Sequence, residues 1–404
     1  MTPRHCPVCD RHEPQLVYRQ RFAVADDGYH LTGYDVVQCG RCGAVYADGI
    51  PSQEALDRYY AQSSKYEYLE RGGEAPASLD ESHRGMAAGL RGLVPDVAAR
   101  IVDVGCGNGD VLGLLREAGY TNLLGIDPAE NSALAARRLY GVEVVTGSVL
   151  AMPSAADAAD LVVLSAVLEH VRDVPAALRQ VAAVLSATGL LYIEVPDLAR
   201  FRSDEAMPFQ QFSVEHINYF TSASLARAAV AAGLRLAQVW PALRHTGSTP
   251  EPVICAVFRR GRPAPDQTRR DHIGPSAARR YVAHCEADER RVRTHLADLT
   301  ASGMPFIVWG AGTHMQHLLA QAPLNGANIV AIVDANPRLH GIVVAGLTVT
   351  GPEALQGRTE PILAGSPAHE SDIVDMARGS YGLHNEFLSL ALPPTVPGED
   401  TLRS

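Results

Sequence analysis

The clearest pattern in the chain is an alternation of short apolar runs with segments whose apolar residues recur every three or four positions. The apolar runs at 101–104, 123–127, 142–145, 161–165 and 189–196 read as strands, and 111–118 between the first two has helical periodicity. Near-continuous apolar strands with helical crossovers predict a parallel, doubly wound α/β sheet with ligands outside the carboxyl ends of its strands. Two later runs, 234–240 and 252–259, are expected to close that sheet as an antiparallel pair. Upstream, 15–24 and 33–38 read as a ribbon joined by the polar turn 25–28, and 51–62 as a short helix. The proline-rich stretch 261–265 reads as a linker, and 277–301 as a charged helix. A second, shorter βα alternation runs from Pro305 to the end. Three parts follow: 1–62, 63–262 and 263–404, with no solenoid repeat and no low-complexity tract.

Composition narrows the function classes. The 404 residues carry 35 basic and 45 acidic side chains, a formal net charge of −10, which argues against non-specific nucleic-acid binding. Hydrophobic residues make up 47% and charged residues 20%, as in a soluble globular protein. No uninterrupted apolar stretch reaches the roughly 18 residues of a membrane span. The segment beginning Met1-Thr2-Pro3-Arg4-His5 has no apolar signal core, so a cytoplasmic location is expected.

Seven cysteines in a cytoplasmic protein are not expected to form a disulfide framework. Four of them make two knuckles, Cys6-Pro7-Val8-Cys9 and Cys39-Gly40-Arg41-Cys42, with residues 10–38 between them. Two such knuckles supply four thiolates in a tetrahedral set that suits structural zinc and leaves no open position for catalysis. A redox pair is the alternative. Cys106, Cys255 and Cys285 are single and fit small buried hydrophobes.

The strongest chemical signal follows the first apolar strand: Asp103-Val104-Gly105-Cys106-Gly107-Asn108-Gly109. A glycine turn of this kind lets a ligand approach the backbone and aims helix N-terminal amides at it. The third glycine comes one position too early for a dinucleotide fingerprint, which disfavours NAD. The acid-x-G-x-G-x-G pattern resembles the first motif of class I S-adenosylmethionine (SAM) methyltransferases. That resemblance makes Asp103, Gly105, Gly107 and Gly109 cofactor-binding. It places Asp127, 22 residues after Gly105, on the ribose hydroxyls. It also makes cofactor-binding both Ser148, which stands where the family has an acidic residue for the adenine amine, and Ser165, which ends the fourth strand ahead of Leu168-Glu169-His170.

Between the fifth and sixth strands lies Phe209-Gln210-Gln211-Phe212-Ser213-Val214-Glu215-His216-Ile217-Asn218-Tyr219-Phe220. A Glu-His pair there offers a base of near-neutral pKa beside a carboxylate; a histidine that merely satisfies a hydrogen bond at the start of a helix is the plainer reading. A four-cysteine module, a SAM domain, this Glu-His motif and a further Rossmann-like domain together resemble the zinc-containing nucleotide-sugar C-methyltransferases of deoxysugar pathways. The resemblance implies a nucleotide-linked 4-keto sugar as substrate. It makes His216 the base, Glu215 its partner and His170 an acid or hydrogen bonder. It also implies an active-site tyrosine at Tyr68 or Tyr66. Ser213 departs from the family, which has tyrosine there. An O- or N-methyltransferase on the same scaffold is the alternative function.

In the last part, Gly310-Ala311-Gly312 and Asp334 form half a Rossmann pattern with Met315 in place of the third glycine. The resemblance implies nucleotide-sugar binding by this part, and a structural or dimerising role is the alternative. His314, His317 and His340 are scattered and do not read as a metal site. No nucleic-acid or membrane partner is expected, and the protein is expected to be a monomer or homodimer.

Overall fold

The computed structural model describes residues 3–25, 31–62, 81–153, 156, 158–202, 207–246, 249–321 and 324–390. Contacts group the protein into two units: 1–18, 35–201 and 215–279 in the first, and 19–34, 202–214 and 280–404 in the second. Among the described residues, no helix is long and apolar enough to cross a membrane.

The chain begins with β1 (Pro14–Arg21) and β2 (Gly33–Cys39), each with residues in both units, and the first unit continues with β3 (Val45–Asp48), α1 (Gln53–Gln62) and α2 (Glu81–Leu93). The parallel core follows as β4 (Ile101–Val104), α3 (Asp110–Glu117), β5 (Leu123–Asp127), α4 (Glu130–Tyr140), β6 (Glu143–Thr146), β7 (Ala159–Ser165), α5 (Val174–Val184) and β8 (Leu185–Pro196). It is completed by β9 (Asn218–Tyr219), α6 (Ser222–Val230), β10 (Leu234–Thr246) and β11 (Thr249–Arg260).

Seven strands form one sheet in the order β10-β11-β8-β7-β4-β5-β6. The pairs among β6, β5, β4, β7 and β8 are parallel, and β11 runs antiparallel to both its neighbours. Strands buried on both faces explain the unbroken apolar runs: every residue of β4 is buried, as are Leu161–Leu164 in β7. The expected doubly wound sheet is therefore present, and both the glycine turn and Glu169 follow carboxyl ends of its strands.

The hairpin of β10 and β11 is longer than hydropathy suggests, because Pro241, Pro250 and Pro252 interrupt the pattern. Prolines are tolerated where one side of a strand is unpaired. Beyond Val253, which pairs with Pro196, β11 pairs with β10 alone, and β10 is the sheet edge.

A smaller sheet in the order β1-β2-β3-β9 carries the cysteine knuckles. The ribbon was legible, but β3 and β9 were not, since four- and two-residue strands leave little periodicity. Gly43, directly after the second knuckle, has φ +81°, and a Cβ there would stand 1.9 Å from the Asp271 carbonyl oxygen. Asp271 donates its N–H to the Cys42 carbonyl (2.8 Å) and accepts from Thr221 Oγ1 (2.6 Å).

Helix α7 (Ile273–Ala301) passes from the first unit to the second. The second unit continues with β12 (Phe306–Trp309), α8 (Thr313–Gln321), β13 (Ile329–Val333), β14 (Val343–Val344), β15 (Leu347–Thr350), β16 (Ile362–Ala364), α9 (Glu370–Gly379) and β17 (Phe387–Leu388). Its sheet order is β14-β15-β13-β12-β16-β17, with parallel pairing from β15 to β17. That is more than the half Rossmann pattern that the sequence shows.

Gly43→Ala is expected to lower the unfolding midpoint, since both the positive φ and the Asp271 carbonyl oppose a methyl group. A loss of about 1–3 kcal/mol is expected, measured by denaturant titration. An unchanged midpoint would show that the knuckle relaxes freely.

Candidate active site

The glycine turn is built as the motif predicts. Gly105, Gly107 and Gly109 all have positive φ (+76°, +53° and +79°). At Gly105 a Cβ would meet Val167 Cγ2 at 2.7 Å, so a side chain there is opposed by space as well as by conformation. Gly105 N–H donates to the Ile126 carbonyl at 2.7 Å, which ties the turn to the end of β5. Asp127 then clamps it: Oδ2 accepts the Gly107 N–H at 2.9 Å, and Oδ1 accepts from Ala129 N (2.9 Å) and Ser132 Oγ (3.0 Å). A carboxylate has about four acceptor positions, so the protein itself uses most of those on Asp127. The sequence reading gave Asp127 to a ribose and did not foresee this holding role.

Asp103 is buried at 5% exposure. Burial, then the charge of Asp127, pushes its carboxyl up from 3.8 to about 7. Ser148 follows β6 and forms a bridge with Ala151. Ser165 belongs to a polar knot, accepting from Arg244 Nη2 (2.8 Å) and donating to Glu194 Oε1 (3.4 Å). Partly buried Arg244 forms an ion pair with buried Glu194, and Tyr192 OH donates to Glu194 Oε2 at 3.0 Å.

Two segments distant in sequence meet after β7. Ile217 N–H donates to the Glu169 carbonyl at 2.8 Å, and the Asn218 amide donates to the carbonyls of Leu168 (2.6 Å) and Val171 (2.8 Å). Arg4, itself buried, donates to Asn218 Oδ1 (2.5 Å) and the Ile217 carbonyl (2.9 Å). This framework puts His170 and His216 edge to face, with ring centroids 5.0 Å apart. His170 Nδ1 lies 3.1 Å from the Glu215 carbonyl and 3.1 Å from Tyr60 OH. Tyr59 OH donates to Glu215 Oε1 at 2.9 Å.

The structure thus brings His170, Glu215 and His216 together, with Glu169 among them. Glu169 is 1% exposed, and burial raises its carboxyl from 4.5 to about 8. The sequence reading missed Tyr59, Tyr60, Arg244 and the part played by Glu169. The paired tyrosines at the end of α1 were the available signal. Tyr66 and Tyr68 lie outside the described residues.

The four knuckle cysteines also converge, their sulfur atoms all within 4.8 Å of one another. Cys6 and Cys42 are 3.5 Å apart, and Cys9 and Cys39 3.6 Å. Four soft donors at this spacing fit a tetrahedral divalent ion. His314, His317 and His340 do not join a comparable group among the described residues.

Comparison with known proteins bears on the larger sheet. Residues 78–239 match a family described as a methyltransferase domain. Together with the strand order and glycine turn, this match decides the fold. The domain has the class I SAM-dependent methyltransferase fold. A curated relative, the C-methyltransferase NovU of Streptomyces niveus, is 28% identical over 273 residues, which span 64% of this chain and 63% of that protein. Among solved structures, a Burkholderia thailandensis 1,6-didemethyltoxoflavin-N1-methyltransferase with bound S-adenosylhomocysteine is 18% identical. It covers 62% of this chain and 100% of its own, with a TM-score of 0.41. A Mesorhizobium loti SAM-dependent methyltransferase is 21% identical and covers 44% of this chain and 100% of its own, with a TM-score of 0.35.

Asp103 of the methyltransferase domain yields a pH test. Its raised pKa means that the native state keeps a proton that the unfolded protein releases, so stability falls as pH climbs from about 4 through about 7. Asp103→Asn should lack that slope, and the difference between the two proteins should level off at higher pH. Denaturant titrations across this range check it; parallel curves would show that Asp103 is ionised in the fold.

Proposed function

We propose that this protein transfers the methyl group of SAM to a carbon atom of a nucleotide-linked 4-keto deoxysugar. The observation that carries the reading is the meeting of Glu215-His216 with Glu169-His170 beyond the carboxyl end of β7. The similarity to a protein named as a C-methyltransferase supports it. SAM is held at the glycine turn by Asp103, Gly105, Gly107, Gly109 and Asp127, with Ser148 toward the adenine and Ser165 as a further contact.

In this reading His216 removes the proton alpha to the ketone. The electron pair of the broken C–H bond passes into an enolate, whose oxygen accepts a hydrogen bond from His170. The enolate carbon then attacks the SAM methyl, forming a C–C bond, and the C–S bond electrons return to sulfur as a neutral thioether. Glu215, held by Tyr59, sets the position and charge of this group, and Tyr68 or Tyr66 contributes the phenol implied by the resemblance. The four cysteines hold structural zinc, which contributes folding free energy and no chemical step. Residues 263–404 bind the nucleotide of the substrate. The protein works in the cytoplasm as a monomer or homodimer.

Two experiments test this. Elemental analysis should find zinc in the purified protein, and Cys39→Ser should lose it together with much of its thermal stability. A stable, metal-free wild type would sink the zinc assignment. For the chemistry, a 4-keto sugar nucleotide incubated in heavy water with enzyme and S-adenosylhomocysteine should take up deuterium alpha to the ketone. His216→Asn should abolish that exchange and slow turnover by about 10²–10⁴-fold, the usual worth of a general base, with SAM affinity retained. Methylation of a substrate that has no ketone would move the assignment to O- or N-methyl transfer.

A further inference from the structure

Glu169, His170 and His216 place one carboxylate oxygen and two imidazole nitrogens within 4.8 Å of one another. The arrangement around His170 shows how an ion would be held between them. Its Nδ1 faces the Glu215 carbonyl at 3.1 Å. A carbonyl can only accept, whereas the Tyr60 hydroxyl at the same distance can also donate, so the ring proton sits on Nδ1 in the tautomer that bonds the carbonyl. In that tautomer Nε2 offers its lone pair, and Nε2 is the atom that faces Glu169 Oε1, 4.0 Å away. The other oxygen, Oε2, is buried and has no hydrogen-bond partner among the described residues. Glu169 Oε1 and His170 Nε2 thus face each other in a buried place that a cation can bridge.

We infer that Glu169, His170 and His216 form a binding site for a divalent transition-metal ion, distinct from the four-cysteine site. Two imidazoles and a carboxylate are a donor set for zinc, cobalt, nickel or iron, with positions left open for water. A backbone carbonyl on the remote nitrogen is the usual support of a metal-bound histidine, since it fixes the tautomer and aims the lone pair. Bonds of about 2.0–2.2 Å bring tetrahedral ligand atoms to roughly 3.3 Å from one another, so the three side chains close by about 1 Å on binding. Glu194 and Glu251 add negative potential at Glu169, and Arg244 opposes it.

The consequence rests on the reading of His216 as the base. A nitrogen lone pair bonded to a metal cannot take a proton, so metal occupancy and proton abstraction exclude each other. The site therefore acts as a metal-sensitive brake on the methyl-transfer reaction.

The test is a cobalt titration of the full-length protein by equilibrium dialysis and visible spectroscopy, after mild chelation. The tetrathiolate site gives an intense sulfur-to-cobalt band, whereas a nitrogen and oxygen site gives only weak visible bands, so the two ions are counted separately. Wild type is expected to bind two cobalt ions per molecule. Glu169→Gln and His170→Asn should each weaken the second ion at least tenfold while keeping the thiolate band, which also proves that the variants fold. Turnover and alpha-carbon deuterium exchange should fall in step with occupancy of the second site and return on chelation.

A single ion per molecule in wild type would overturn the site and leave a proton as the occupant. A second ion indifferent to both variants would also overturn it. Turnover that rises with occupancy would overturn the brake. The binding measurement needs neither sugar nor SAM, so its failure is separate from failure of the C-methylation reading.

Discussion

The active region depends on one constraint: residues 168–171 and 215–220 must occupy the same place, although more than forty residues separate them. Asn218 enforces this. Its amide bonds two carbonyls of the post-β7 turn, and its oxygen accepts from a buried guanidinium. Every one of these groups is withdrawn from water, where an unmet partner costs about 1–3 kcal/mol. The arrangement is therefore close to all or none. Removing one partner leaves several others unsatisfied, which is what keeps the two histidine rings at a fixed separation without a covalent link.

That framework also joins the cysteine-bearing sheet to the chemistry. β9 contains Asn218 and pairs with β3, and Arg4 lies just before the first knuckle. A module that contributes no reacting group still determines where His216 stands. Its stability and the placement of His216 are thus a single property, because the same backbone segment supplies both.

The larger sheet and its cofactor turn were legible because parallel strands buried on both faces leave unbroken apolar runs, and because Gly105, Gly107 and Gly109 mark positive φ directly. The Cys6–Cys9 and Cys39–Cys42 spacing was legible for a similar reason: thiols in pairs rarely serve packing alone. What stayed hidden was set by tertiary contact. Nothing local in Tyr59 or Tyr60 shows that α1 delivers them to Glu215 and His170. Glu169 sits in an apolar turn beside a histidine, and only burial shows that its charge has no ordinary home. Asp127 was assigned to a ligand, yet its first duty is to its own backbone, since the Gly107 amide sits inside its reach. The lengths of β10 and β11 were obscured by prolines that matter little where a strand has one neighbour.

The contact between Gly43 and Asp271 has a consequence for the order in which the protein becomes competent. The second knuckle leaves the ribosome early, but the residue that bonds the Cys42 carbonyl and packs on Gly43 is made 228 positions later. At about 5–20 residues per second, that delay is roughly 10–50 s. Throughout it, the cysteines are available while their outer contact is not. An ion captured during synthesis would sit in a half-built cage, free to exchange, and would become enclosed only when the start of α7 arrives. For a metal held by these four cysteines, selection would be a matter of timing as much as of affinity, with the final exchange barrier set by a segment that contributes no ligand.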